Sequence, residues 1–131
     1  MTTILWCWAV GMLLPYVWAG ASVPFRNQQF GKIDNDHPRL QAERMEGQGA
    51  RAVGAQANAW EALIIFSAAN GAAIWAGLDP TGSWSTFAMV WVAVRVLHGV
   101  FYILGQSMLR GASFIAGTAM SIAILVLAFQ A

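Results

Sequence analysis

Residues 2–23, TTILWCWAVGMLLPYVWAGASV, contain no Asp, Glu, Lys, Arg or His over 22 positions. An α-helix needs about 20 consecutive apolar residues to cross the hydrocarbon core of a bilayer. The whole chain of 131 residues is 58% hydrophobic and 10% charged, which is more apolar surface than a soluble domain of this size can bury. The stretch therefore predicts the first membrane-spanning helix of an integral membrane protein.

Three further apolar stretches follow, and polar segments separate them. They predict spans at about residues 55–77, 84–105 and 111–131, with a polar loop at residues 24–54 after the first span. Backbone groups inside lipid must find their hydrogen-bond partners within the protein, so each span is expected to be helical. The sequence thus predicts one all-α domain over residues 1–131, an integral membrane four-helix bundle.

Basic residues are concentrated in two of the three connections between spans. These two connections hold six of the seven Lys and Arg residues: Arg26, Lys32, Arg39, Arg44 and Arg51 in the first, and Arg110 in the third. Connections rich in Lys and Arg face the cytoplasm, so both termini and the turn at Asp79 are predicted on the other side. Four tryptophans are expected to form an aromatic belt there: Trp6, Trp8, Trp75 and Trp84.

Composition also argues against two functional classes. The formal net charge of +1 gives no clustered basic surface of the kind that binds nucleic acid. The single cysteine, Cys7, and two histidines 61 positions apart offer no recognisable ligand spacing for a metal. We therefore expect Cys7 to be a packing residue, and we predict neither a metal site nor a nucleic-acid partner.

Polar and ionisable residues form one stripe on the second span and one on the third. The stripes consist of Arg51, Asn58 and Glu61, and of Arg95, His98 and Tyr102 at intervals of three and four. Glu61 and His98 lie about 9 to 10 Å from the cytoplasmic ends of their spans. Because a charge in low dielectric is tolerable only when paired, we predict a Glu61–Arg95 ion pair, within one subunit or between two.

The stripes admit two interpretations. Intramembrane ionisable groups mark a functional site by default. Five of these polar residues exceed what one buried ion pair requires: Asn58, Glu61, Arg95, His98 and Tyr102. The alternative is that they only hold two helices in register. The fourth span carries Ser113, Gly117 and Ser121 at intervals of four, a stripe of small residues that predicts close contact with another helix.

Both polar stripes resemble motifs of the MAPEG family, the membrane-associated proteins in eicosanoid and glutathione metabolism. Residues 51–61, RAVGAQANAWE, resemble the Arg-Ala and Asn-x-x-Glu pattern of its second helix. Residues 95–102, RVLHGVFY, resemble the Arg-x-x-His-x-x-x-Tyr motif of its third helix. The four predicted spans are similar to the family's layout, so the resemblance covers nearly the whole chain.

The resemblance implies a homotrimer with a glutathione pocket between neighbouring subunits, open toward the cytoplasm. The residues it implies for glutathione binding are Arg51, Asn58, Glu61, Arg95, His98 and Tyr102. The residues that it implies for activation of the glutathione thiol are Arg110, Ser113 and Tyr102. A cation or hydroxyl donor near the sulfur favours the thiolate, which is the attacking species.

The leading hypothesis is a glutathione-dependent membrane transferase or peroxidase, with glutathione as cosubstrate and apolar electrophiles dissolved in membrane lipid as targets. The alternative is a non-catalytic trimeric lipid-binding or scaffolding protein of the same fold. Ala57 favours the alternative, because catalytic members of the family often carry a basic residue there. A small transport subunit is a third hypothesis, but no broken helix marks a substrate path.

Overall fold

The computed structural model describes residues 1–131 and contains helices but no strands. Its elements in chain order are α1 (Thr2–Phe30), α2 (Pro38–Glu43), α3 (Gly47–Trp75), α4 (Ser83–Ile103) and α5 (Ser107–Gln130). The four long helices pack side by side, with α1 and α4 both against α3, and α5 against α3 and α4. The prediction of an all-α bundle is confirmed.

Three of the helices, α1, α4 and α5, are long and apolar enough to cross a membrane. Helix α3 has 29 residues, which at 1.5 Å per residue makes it about 44 Å long and sufficient in length. Its mean hydropathy is lowered by polar residues such as Asn58, Glu61 and Asn70. The chain is an integral membrane protein, and the crossing by α3 stays a prediction.

Two helices extend beyond the apolar stretches that define the predicted spans. Helix α1 continues through Pro24 and ends at Phe30, and α3 begins at Gly47. The predicted loop at residues 24–54 is therefore mostly helical, and its non-helical part lies within residues 31–46. The side chains become polar after Pro24, whereas the helical hydrogen bonds of the backbone continue to Phe30.

A compact linker joins α1 to α3 and includes the single helical turn α2. The buried amide side chain of Gln41 donates to the Lys32 carbonyl at 2.8 Å and accepts from the Asp34 N–H at 3.2 Å. The backbone N–H groups of His37 and Asp36 donate to the Asp34 carboxylate and lower the pKa of Asp34. These bonds fold residues 32–41 into a compact turn within the linker.

An aromatic core fills the half of the bundle that lies far from this linker. Phe66 and Trp91 stack with their ring centroids 3.8 Å apart, and the indole N–H of Trp84 donates to Asn70 Oδ1 at 2.8 Å. The placement of Trp84 in the aromatic belt is wrong, because its side chain is only 1% exposed. Its N–H is satisfied by an amide inside the bundle and needs no contact with the membrane interface.

The other belt tryptophans divide into exposed and half-buried residues. Trp6 and Trp75 are 69% and 93% exposed, as a belt at the membrane surface requires, whereas Trp8 donates to Ser67 Oγ at 2.7 Å. Cys7 is buried in the core, as expected for a packing residue. The small-residue stripe of α5, Ser113, Gly117 and Ser121, is also buried, which confirms that it faces protein.

Candidate functional site

The two polar stripes meet where Arg95 of α4 reaches Asn58 of α3. Arg95 Nη2 donates to the side-chain Oδ1 of Asn58 at 2.6 Å and to the Asn58 carbonyl at 3.2 Å. The arginine is 3% exposed, so these bonds give Nη2 its partners in a guanidinium that is almost fully removed from solvent. Arg95 therefore holds the side chain of Asn58 in place.

The predicted direct Glu61–Arg95 ion pair is absent from this chain. Asn58 lies between the two groups, and its Nδ2 donates to Glu61 Oε2 at 3.3 Å. Arginine carries only donors, so it holds the amide oxygen of Asn58 and turns the amide nitrogen toward the carboxylate. Glu61 itself is exposed on the outer face of α3, and the chain provides no cation within 4 Å of it.

His98 lies one turn further along α4 and bonds to the start of α5. Its Nδ1 is 3.1 Å from the Arg110 carbonyl oxygen and 3.4 Å from Ser113 Oγ. Because the carbonyl can only accept, Nδ1 carries the proton and Nε2 carries a lone pair. Nε2 is buried and has no partner within the chain.

Tyr102 and Arg110 form a stacked pair at the cytoplasm-facing end predicted for α4 and α5. The guanidinium carbon of Arg110 lies 4.7 Å from the centre of the Tyr102 ring, within the range of a cation–π contact. The same ring meets the edge of His98 with centroids 5.7 Å apart and packs against Gly54 of α3. One aromatic ring therefore connects all three helices at this level.

A groove of about 300 Å³ opens between these side chains. Its lining residues come from α3, α4 and α5: Asn58, His98, Tyr102, Arg110, Gly111 and Phe114. Four of the six belong to the residues predicted from the sequence. Gly111 and Phe114 were missed, because a glycine and an apolar residue within an apolar span carry no polarity signal.

Four predicted site residues do not line the groove, and Arg95, which bonds to Asn58 from α4, is one of them. Arg51 donates through Nε to the Ile103 carbonyl at 3.0 Å and so holds the end of α4. Ser113 is buried behind His98, and its hydroxyl lies within bonding distance of the Leu109 and Arg110 carbonyls. Glu61 is the fourth, and it is connected to the groove only through its hydrogen bond with Asn58.

The groove has a cationic character. The only cation–carboxylate contact within 4 Å in the whole chain joins His37 to Asp34 in the linker, at 3.9 Å. Arg110, the one guanidinium that lines the groove, therefore has no carboxylate in contact with it. A groove lined by one guanidinium group, an amide and a phenol is suited to a small, polar, anionic ligand.

Comparison with known proteins identifies the family to which the chain belongs. No curated protein and no solved structure matches the chain. A family model described as MAPEG family matches residues 3–130, which is nearly the whole chain. The match includes both polar stripes and the helices that carry the groove. The family resemblance predicted from the two motifs is confirmed, and the chain belongs to the MAPEG family.

Proposed function

We propose that the chain is a glutathione-dependent membrane transferase or peroxidase that activates the glutathione thiol against apolar electrophiles in the lipid. The observation that carries the proposal is the Arg110 guanidinium, held over Tyr102 at the mouth of a polar groove. Membership of a family associated with glutathione supports it. Glutathione is a small anionic peptide with two carboxylates, one ammonium group and one thiol.

The groove offers a partner for each class of group on that ligand. Arg110 supplies positive charge, and Asn58 and Tyr102 supply an amide and a hydroxyl. The exposed carboxylate of Glu61, adjoining Asn58, suits an ammonium group. His98 Nε2 is an unused acceptor beside the groove, and Arg51 acts from outside by holding the end of α4.

The proposed chemistry is nucleophilic attack by the glutathione sulfur. A guanidinium or phenol near the sulfur stabilises the thiolate relative to the thiol, so the thiol loses its proton to solvent at lower pH. The thiolate then forms a bond to the electrophilic atom, and the leaving group departs with the displaced electron pair. The bundle contributes proximity, since an apolar electrophile concentrates in the surrounding lipid.

The proposed assembly is a homotrimer with the groove near a boundary between subunits. Glu61 is exposed about halfway along α3 beside exposed Trp60, Ile64 and Ile65. A carboxylate at this level costs free energy if it faces acyl chains, and a second subunit could cover it. The same proposal places the linker and the α4–α5 turn in the cytoplasm and both termini on the other side.

A second candidate function is non-catalytic lipid binding by the same fold. An apolar groove of about 270 Å³ lies between α3 and α5. Its lining is almost wholly aliphatic: Ile64, Ile65, Ala68, Ala69, Ser121, Ile122 and Leu125. This groove fits a hydrocarbon chain, and Ala57 leaves the polar groove with one cation fewer than a basic residue would give it.

Glutathione should raise the melting temperature of the detergent-purified protein. A ligand at 100 times its dissociation constant stabilises the native state by about 2.7 kcal/mol. The matched control is a glutathione analogue with alanine in place of cysteine, which should give a similar shift. Only glutathione should then form a conjugate with an apolar aryl halide.

The two candidate functions predict different outcomes of this titration. A concentration of about 10 mM glutathione is well above the usual range of KM values, about 1 μM to 1 mM. The absence of any shift in melting temperature at this concentration would contradict the enzymatic proposal. A shift with a long-chain lipid in place of glutathione would support the lipid-binding candidate. A shift with glutathione but no conjugate would support binding without catalysis.

A further inference from the structure

We infer that Gly54 is a positioning residue for the proposed glutathione site, which it serves by admitting the Tyr102 ring into a notch on α3. This inference rests on the proposed function, because its consequence is measured as glutathione binding. Gly54 belongs to neither polar motif by residue type, and it does not line the groove. Its effect is exerted entirely through Tyr102.

The notch is defined by the space that a side chain at position 54 would occupy. A Cβ atom built on Gly54 would lie 2.6 Å from Tyr102 Oη, 2.8 Å from Cζ and 2.9 Å from Cε1. Contacts this short do not persist between a Cβ and a rigid ring, so even a methyl group at this position must displace the phenol. The present position of Tyr102 therefore requires glycine at position 54.

Displacement of the Tyr102 ring would disturb the neighbouring side chains of the proposed glutathione site. The Tyr102 ring supports the Arg110 guanidinium at 4.7 Å and contacts the edge of His98. The groove of about 300 Å³ lies on one side of the ring, which gives the phenol room to move without unfolding the bundle. Gly54→Ala should therefore yield a folded protein in which the Tyr102 phenol and the Arg110 guanidinium are displaced from their present positions.

The same helix provides a matched control at Gly71. A Cβ atom built on Gly71 would meet nothing within 4 Å. Both Gly54 and Gly71 lie inside α3, so both substitutions bring the same gain in helix propensity. Only Gly54→Ala adds a steric conflict with a site residue.

The first measurement is fluorine NMR on protein labelled with 3-fluorotyrosine. The chain has two tyrosines, Tyr16 and Tyr102, so two signals are expected, and Tyr16→Phe assigns them. Gly54→Ala should move the Tyr102 signal and leave that of Tyr16 in place, whereas Gly71→Ala should move neither. This readout needs no glutathione. An unmoved Tyr102 signal in Gly54→Ala would overturn the inference.

The second measurement is the glutathione dissociation constant of the same variants. Gly54→Ala should weaken binding by about tenfold or more, because an atomic misplacement of about 1 Å is costly in a preorganised site. Gly71→Ala should stay within about twofold of the original chain. Adding Gly54→Ala to Tyr102→Ala should change the dissociation constant of the Tyr102→Ala variant by no more than about twofold. Loss of the effect in that background separates positioning through the ring from general damage to α3.

The outcomes of the two measurements are distinguishable. Normal binding by Gly54→Ala, with the original chain also binding, would overturn the positioning role and leave the proposed function standing. A failure of the original chain to bind glutathione would overturn the proposed function, and the positioning of a glutathione site with it. An equal loss in the presence and absence of the Tyr102 ring would also overturn the inference.

Discussion

Replacing Gly99 with alanine should destabilise the bundle by about 1 to 3 kcal/mol or more, the range for overpacking a filled interior. A Cβ atom at Gly99 would lie 2.2 Å from both Cε2 and Cζ2 of Trp18. These atoms belong to a rigid indole that is only 8% exposed and clustered with Leu14, Ala55 and Ala59. The ring has no open groove to enter, so α1 and α4 must move apart.

Thermal unfolding in detergent checks this expectation, with Gly71→Ala again as the control for the added methyl group. Gly71→Ala should leave the melting temperature equal or higher, because alanine favours the helix. Shrinking the opposing side chain should remove the conflict, so Gly99→Ala in a Trp18→Leu background should cost little beyond Trp18→Leu alone. Equal melting temperatures for Gly99→Ala and Gly71→Ala would show that α1 and α4 are not in this contact.

Replacing Arg110 with glutamine should weaken glutathione binding by about 10- to 150-fold, since a hydrogen bond to a charged group contributes about 1.5 to 3 kcal/mol. The guanidinium lies at the groove and has no carboxylate contact within the chain. Glutamine keeps a polar side chain of moderate length but loses both the charge and the stacking on Tyr102. The melting temperature without ligand should change little.

Arg39→Gln is the matched control, because it removes the same charge from an exposed position in α2. Calorimetric titration of both variants should show weakened binding only for Arg110→Gln. Raising the salt concentration should weaken binding by the original chain and narrow the difference between it and Arg110→Gln, because screening acts on the charge. Similar affinities in the two variants would exclude Arg110 from the site.

The meeting of the two polar stripes could be predicted from the sequence. Helical periodicity places Arg95, His98 and Tyr102 on one face, and depth counting places Glu61 at the level of His98. The residue of α3 that bonds to Arg95 could not be predicted in the same way. Asn58 and Glu61 are one turn apart on a single face, and which of them meets the arginine depends on the rotation of α3, which close packing sets.

The aromatic residues illustrate a similar limit. Trp75 and Trp84 stand near the same predicted interface, yet the structure exposes the first and buries the second. The deciding feature is Asn70, which lies on a buried face of α3 and accepts the Trp84 N–H. Hydropathy gives the level of a residue along the bundle but not the direction in which its side chain points.

The most direct test of the central claim is a density map of the detergent-solubilised protein at saturating glutathione. We predict ligand density in the groove lined by Asn58, His98, Tyr102 and Arg110, with the sulfur within reach of Arg110 or Tyr102 and with Glu61 near the ammonium group. An empty groove at saturation, or glutathione density resting on any other part of the bundle, would contradict the account.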